Sequence, residues 1–269
     1  MHKFIWTKKE SDLKEWDIFL NSTPRGHYSQ ISHWLKSYKS YGFDFDLLIV
    51  RNNENKIIGG LGAVISKFSF IKLYSCSCCP ILKTDYDFLA EELIEQFKNR
   101  AIAINATCCQ IMIPKIKIEN KNIEPHCLDT LLKKCLASSN SGNIIKSVSI
   151  VNGFREVKID NNDNNIEENI LKTFNTNTRR NIKKASKNGL TLKYAKTPEE
   201  NKQAYQIIEL NGEVQGYSVR SWEDFKDTLI QMVNDNLCLI PTCFKNEEIK
   251  GALIVVQTGK RLSYISGGT

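Results

Sequence analysis

Five cations fall within nine residues of this 269-residue chain, at Arg179, Arg180, Lys183, Lys184 and Lys187. At roughly 100° per residue they share one arc of a helix with Lys172, while Ile166, Ile170, Phe174, Ile182 and Ala185 share the opposite arc. Such a strip can meet the phosphates of a polyanion. It can equally be a solvated face whose bases complement a helix C-terminus. The other reactive cluster is Cys76, Cys78, Cys79, Cys108 and Cys109, which lacks the doubled CxxC spacing or convergent histidines of a zinc site. A structural role is expected for these cysteines, and no metal. His126-Cys127 has no evident triad partner. Gly59-Gly60-Leu61-Gly62 lies inside an apolar strand pattern instead of between a strand and a helix, so it is no phosphate loop and points to close packing or a bulge.

The basic strip belongs to Asn164 to Gly189, which reads as one amphipathic helix. Asn164 and Asn165 can cap it, Glu167 and Glu168 suit its first turn, and Gly189 can stop it. Its apolar arc is expected to face a core. Upstream, Asp12 to Leu20 reads as a helix, and residues 28 to 43 place Ile31, Trp34, Leu35 and Tyr38 on one helical face. Asp46 to Arg51, Lys56 to Phe68 and Ile71 to Cys76 read as a three-stranded meander. A helix over Asp85 to Ile104, a strand over Ala106 to Ile113, a helix over Glu124 to Ala137 and a strand over Ile144 to Val151 follow. Downstream of the strip come a strand, Leu190 to Ala195, helices over Glu199 to Val214 and Ser221 to Asn234, and a second meander from Leu237 to Ser266.

The two halves resemble each other. Residues 53 to 65 and 245 to 257 both run from a polar turn through an amphipathic start and a glycine into an apolar strand; Gly59 matches Gly251, and Tyr74 matches Tyr264. This predicts a tandem duplication of mixed α/β (α+β) class, each half a mostly antiparallel sheet flanked by helices, with domains at 1–152 and 153–269. After its third strand the second copy has only Ile265 to Thr269, so it is expected to be incomplete.

Composition sets outer bounds. The net charge of +7, from 37 bases against 30 acids, is compatible with phosphate-bearing partners but lower than a dedicated nucleic-acid protein would show. The N-terminus lacks the pattern of a secretory signal and no segment approaches a membrane span, so a cytoplasmic protein is expected. Nine cysteines is an odd count, and the adjacent pairs Cys78-Cys79 and Cys108-Cys109 point to opposite faces in a strand. Reduced thiols are expected.

The element order and the duplication resemble two tandem acetyltransferase-like (GNAT-like) domains. YSQISHW (28 to 34), YSCSCCPIL (74 to 82), FNTNTRRNIKKASKNGL (174 to 190), GYSVRSWEDF (216 to 225) and SYISGGT (263 to 269) together resemble the FemABX family of peptidoglycan bridge-forming transferases, over nearly the whole chain. The resemblance implies transfer of an amino acid from an aminoacyl-tRNA to an amine on the stem peptide of a nucleotide- or lipid-linked cell-wall precursor, with peripheral contact to a membrane surface as a possibility and no cofactor. It further implies that Lys36 and Arg220 bind the sugar-diphosphate of the precursor, that Tyr264 lies near the peptide channel, and that Arg179, Arg180, Lys183, Lys184 and Lys187 meet tRNA or phosphate. The base is either a substrate phosphate or a side chain, and the catalytic residue is unknown.

The sequence also departs from the family. Cys79-Pro80 stands where glycine-proline is usual, Asp224 stands where an aromatic often follows the arginine, and the coiled-coil arm of some members has no counterpart. The family's second lysine would lie beyond Thr269, so this chain is expected to lack part of the site. Two other functions fit the same fold. One is an acyl-CoA-dependent N-acyltransferase, disfavoured because CPILKTDY carries no glycines where a pyrophosphate loop would sit. The other is a non-catalytic binding protein for precursor or tRNA.

Overall fold

The computed structural model describes residues 2–112, 115–118, 153–156, 159 and 164–269. The helix and strand expected over 124–137 and 144–151, and the dipeptide His126-Cys127, lie outside them. Two compact units form: Met1–Lys115 packs together with Gln257–Ser263, and Gly153–Val256 packs together with Tyr264–Thr269 and the segment containing Lys115–Ile118 beyond its first residue. Among the described residues no helix is long and apolar enough to cross a membrane.

In the first unit β1 (Lys3–Thr7), β2 (Asp44–Arg51), β3 (Ile57–Phe68), β4 (Ile71–Ser77) and β6 (Cys108–Met112) form a sheet in that order, with β5 (Ile81–Leu82) also beside β3. All pairs are antiparallel except β4 with β6. Alternation along β3 sorts the two faces. Leu61 and Ala63 join Leu48, Val50 and Tyr74 against Leu93, Ile94 and Phe97 of α3 (Ala90–Ala103). Tyr74 stacks on Phe97 with centroids 4.6 Å apart, and Arg100 of α3 forks onto the buried Asp46 at 2.8 and 3.2 Å. The opposite face meets α1 (Glu10–Ser22) and α2 (Ser32–Ser37). There Gly60 and Gly62 admit the helices: a Cβ on Gly60 would come 2.9 Å from Trp16, and one on Gly62 would come 2.5 Å from Leu35. The glycine-rich strand is thus a packing surface.

Residues 28 to 43 divide into three pieces, a 3-10 turn (Tyr28–Gln30), α2, and a second 3-10 turn (Tyr38–Tyr41) ended by Gly42 at φ +72°. Separate caps explain the division: His27 Nδ1 accepts from Ser29 N–H, and Asp17 accepts from Ser32 N–H. The expectation that all cysteines are reduced thiols fails at one pair. Cys78 adopts φ +55° between β4 and β5, which both run antiparallel to β3, and Cys76 and Cys79 form a disulfide with Cα atoms 6.2 Å apart. Cys78, Cys108, Cys109, Cys238 and Cys243 are free thiols.

A second sheet contains β9 (Thr191–Tyr194), β10 (Cys238–Leu239), β11 (Pro241–Lys245), β12 (Glu248–Thr258) and β13 (Arg261–Gly268), with β12 pairing β10, β11 and β13, and β11 also pairing β9. A short ribbon of β7 (Lys115–Ile118) and β8 (Gly153–Glu156) is separate. The stretch expected to be one helix over Asn164 to Gly189 is two, α4 (Ile166–Thr173) and α5 (Thr176–Lys187). Phe174 is extended, and the Asn175 side chain accepts from Thr178 N–H at 2.8 Å. A capping side chain thus restarts the helix, whereas Asn165 makes no side-chain cap. Ile166, Ile170, Phe174 and Ala185 are half-buried and Ile182 is exposed, so the apolar arc is not sunk into a core.

The next two helices follow their sequence signals closely. α6 (Pro198–Gln215) opens with a reciprocal Thr197–Glu200 capping box and Pro198, and ends at Gly216 with φ +73°. α7 (Trp222–Asn234) is capped by Ser221, whose side chain accepts from Asp224 N–H. Ala204, Tyr205, Ile208, Trp222, Phe225, Leu229 and Met232 are buried, as are Ile240, Ala252, Ile254 and Val256 of the sheet segment.

The order β1-α1-α2-β2-β3-β4 resembles β9-α6-α7-β11-β12-β13, with the two-residue β10 added before β11. A register shift between Val50 and Arg51 lies opposite Gly59, where Val50 pairs with Gly59. The corresponding shift lies between Cys243 and Phe244, where Cys243 pairs with Gly251. The two matched glycines therefore sit beside the same irregularity.

His27 is buried, and desolvation pushes its pKa down to about 3 from 6.5. The folded protein holds this imidazole neutral while the unfolded chain protonates it, so acidification favours unfolding between about pH 6.5 and 3. Urea unfolding across this window should lose stability with a shallower slope in His27→Gln than in the parent, the difference approaching at most about 1.4 kcal/mol per pH unit.

Candidate functional site

Lys36 sits at the end of a six-residue helix that could not hold itself. Its order comes from α1. Asp17 accepts from Ser32 N–H at 2.8 Å and from the Ser32 hydroxyl, capping the start of α2. Seven residues earlier on α1, both oxygens of Glu10 accept from Lys36 Nζ, at 2.9 and 2.8 Å. Between them the Trp16 indole N–H donates to Gln30 O at 2.8 Å. Gln30 is itself fully buried. Its amide nitrogen donates to Gly62 O (3.0 Å) and Ser77 O (2.7 Å), and its amide oxygen accepts from Gly62 N–H (2.6 Å).

The electrostatics follow from these contacts. The hydrogen bond from Lys36 holds the Glu10 carboxyl below its usual range, whereas burial raises that of Asp17 against the opposing bonds from Ser32. The Lys36 side chain remains 40% exposed and that of Glu10 70%. This is an ammonium at the surface paired with a solvent-accessible counter-anion.

The remaining expected residues occupy three separate elements of the second unit. Arg220 immediately precedes the Ser221 cap of α7. Its carbonyl accepts from the Tyr205 hydroxyl at 3.0 Å, and its guanidinium carbon lies 5.1 Å from the centroid of the buried Phe225 ring. The Asp224 side chain takes part in the helix cap, accepting from the Ser221 hydroxyl at 2.7 Å, and the ring beside the arginine is that of Phe225. Tyr264 projects from β13 and is 64% exposed, unlike its matched residue Tyr74, which is buried. Gly267 leaves room beside it, since a Cβ there would lie 3.2 Å from the Tyr264 ring and 2.5 Å from Leu253.

On α5, Arg180, Lys183, Lys184 and Lys187 are exposed and Arg179 is half-exposed. Among the described residues none of the five pairs with a carboxylate, whereas Lys172 on α4 pairs with Glu168 at 3.0 Å. Elsewhere on the surface Lys56, Lys98, Lys226 and Lys250 each have an acidic neighbour. The strip is therefore concentrated charge.

These groups can bind and orient anions. The described residues contain no cluster of three or more His, Cys, Asp or Glu suited to a metal ion. Burial pushes the Cys78 thiol up to about 12, leaving it protonated at neutral pH and a poor nucleophile. Glu10, Asp17, Gln30, Tyr205 and Phe225 were not singled out from the sequence as parts of the site. The available signal was spacing: Glu10 and Asp17 are seven residues apart on one helix, and Ser32 and Lys36 are four apart on another.

The family model described as the FemAB family matches residues 12–240. The chain belongs to the FemAB family. The crystal structure of FemX superposes with a TM-score of 0.72 at 13% identity, covering 98% of this chain and 80% of that one, which establishes a shared fold. Glucosamine-6-phosphate N-acetyltransferase from Arabidopsis thaliana covers 54% of this chain and 97% of its own, at 14% identity and a TM-score of 0.35. No curated protein sequence matches this FemAB-family chain.

The supports of Lys36 in this FemAB-family protein separate by stability. Asp17→Ala should destabilise the fold by about 1 kcal/mol through loss of the α2 cap. Glu10→Ala removes an exposed pair and should change stability by less. Urea unfolding of both variants measures the contrast.

Proposed function

We propose that this FemAB-family transferase moves an amino acid from an aminoacyl-tRNA to an amine on the stem peptide of a peptidoglycan precursor. The observation that carries this reading is the family match over residues 12–240. The ordered presentation of Lys36 and Arg220, the residues that the family resemblance assigns to the precursor's sugar-diphosphate, is consistent with it. In this reading the unprotonated acceptor amine attacks the ester carbonyl of the donor, forming a C–N bond and a tetrahedral oxyanion. Collapse breaks the C–O bond, the tRNA ribose oxygen leaves with a proton, and the amine loses one.

Because the donor is already an activated ester, positioning and charge stabilisation are the main demands. Lys36 supplies a compact ammonium and Arg220 a planar fork for phosphate oxygens. Phe225 beneath the guanidinium and the Tyr205 bond to its carbonyl restrict the arginine before ligand arrives. The exposed Tyr264 phenol is available to hold a peptide carbonyl. The cations of α5 take the tRNA backbone, and the reaction belongs in the cytoplasm, where charged tRNA is found.

Incubation with charged tRNA, acyl-CoA and a nucleotide-linked muropeptide should consume the charged tRNA and add one amino-acid residue to the muropeptide, read by mass spectrometry. Consumption of acyl-CoA instead would replace this reading with an acyl-CoA-dependent one, and tight binding without turnover would make the chain a binding protein. For α5, tRNA affinity should fall steeply with salt. Neutralising Arg180 and Lys184 together as glutamines should weaken it further and flatten the log–log salt slope by about 2. A slope unchanged by the double substitution would leave the strip as a solvated face.

A further inference from the structure

The Lys36 ammonium is already occupied. Both Glu10 oxygens lie within hydrogen-bond distance of Nζ, which is the kind of contact that two oxygens of a phosphate would make. We propose that Glu10 is a displaceable counter-anion: the phosphate of the precursor takes its place on Lys36, and the carboxylate swings aside into solvent. This rests on the reading above that Lys36 binds the sugar-diphosphate.

Three observations carry the exchange. First, the pair is exposed on both sides, at 40% and 70%, so water screens it and its strength is small. The diphosphate, ionised on both phosphates and with more acceptor oxygens, can outcompete it. Second, the displaced carboxylate does not become an isolated charge. Glu10 is the first residue of α1, where the positive end of the helix dipole favours an anion, and Lys14 one turn further along also stabilises its charged form. Third, the contact is not needed to hold α2. Asp17 caps that helix at its other end, and Trp34 and Leu35 are buried within it.

The consequence is a threshold. Every ligand of Lys36 meets the same cost of displacing Glu10, so a group that binds an ammonium weakly is held off while a phosphate that binds it well is retained. Glu10 thus sets the affinity of the precursor site.

The test is titration calorimetry of a nucleotide-linked muropeptide against the parent protein, Glu10→Gln, Lys36→Met, their double variant and Arg220→Lys, with thermal melts confirming that each is folded. Glu10→Gln keeps the shape and removes the charge, and should tighten binding by about 2- to 5-fold. Lys36→Met should weaken binding, and the double variant should match Lys36→Met, because the gain from Glu10→Gln requires the lysine. A structural role for Glu10 cannot produce that gain. If Glu10→Gln binds equally well or more weakly while Lys36→Met binds worse, counter-anion exchange is overturned and the phosphate reading of Lys36 stands. If Lys36→Met has no effect while Arg220→Lys weakens binding, the Lys36 assignment fails, and the exchange with it. If neither substitution matters, the precursor reading itself is overturned.

Discussion

A buried amide must find partners for its donors and acceptor, and the first unit is arranged around one that does. Gln30 has no exposure to water, yet its side chain bonds to both the N–H and C=O of Gly62 on β3 and to the C=O of Ser77 at the end of β4. Loss of such bonds without replacement by water would leave several strong polar groups unsatisfied. The geometry consequently admits one placement of the 3-10 turn over the sheet. Its main-chain carbonyl takes the Trp16 indole bond, so the same residue fixes α1. The turn leads directly into α2, and the position of Lys36 is inherited from this clamp.

The second unit solves the same layout with different contacts. Its helices are defined by local devices, a capping box and a left-handed glycine on α6 and a serine cap on α7. Arg220 lies in the junction between the helices, where Tyr205 binds its backbone and Phe225 underlies its side chain. The two sheets share an irregularity beside Gly59 and Gly251, while the side chains around it differ. Tyr74 is a core ring stacked on Phe97; Tyr264 is a surface phenol.

The sequence showed most clearly what is encoded locally. Apolar runs beside polar turns marked β2, β3 and β12, and the helices expected over Glu199 to Val214 and Ser221 to Asn234 lie close to α6 and α7, because such signals act over a few residues. The break at Phe174-Asn175 was hidden because the helical period continues across it, while a single asparagine side chain decides that the helix restarts. β1 was missed for its brevity, and its identity depends on pairing with β2, far along the chain. The Cys76–Cys79 contact depends on the left-handed backbone of Cys78. Within the site, residue types and family resemblance indicated the cations, but not their partners. Glu10 lies 26 residues from Lys36, and only the packing of α1 on α2 brings them together.

The glycines of β3 bear on how such a site can vary. Leu35 rests where a side chain at Gly62 would otherwise stand, and Lys36 is the next residue, so the sheet beneath sets how far the ammonium rises above the fold. Enlarging position 62 would press on Leu35 and on the Gln30 amide oxygen together, disturbing the apolar floor and the polar clamp in one step. Change from below is therefore closed to gradual drift. A descendant of this protein that needed a longer or shorter reach to its ligand would have to obtain it at the solvent side, through the length of the side chain at position 36 or the anion opposite it, with the strand left as it is.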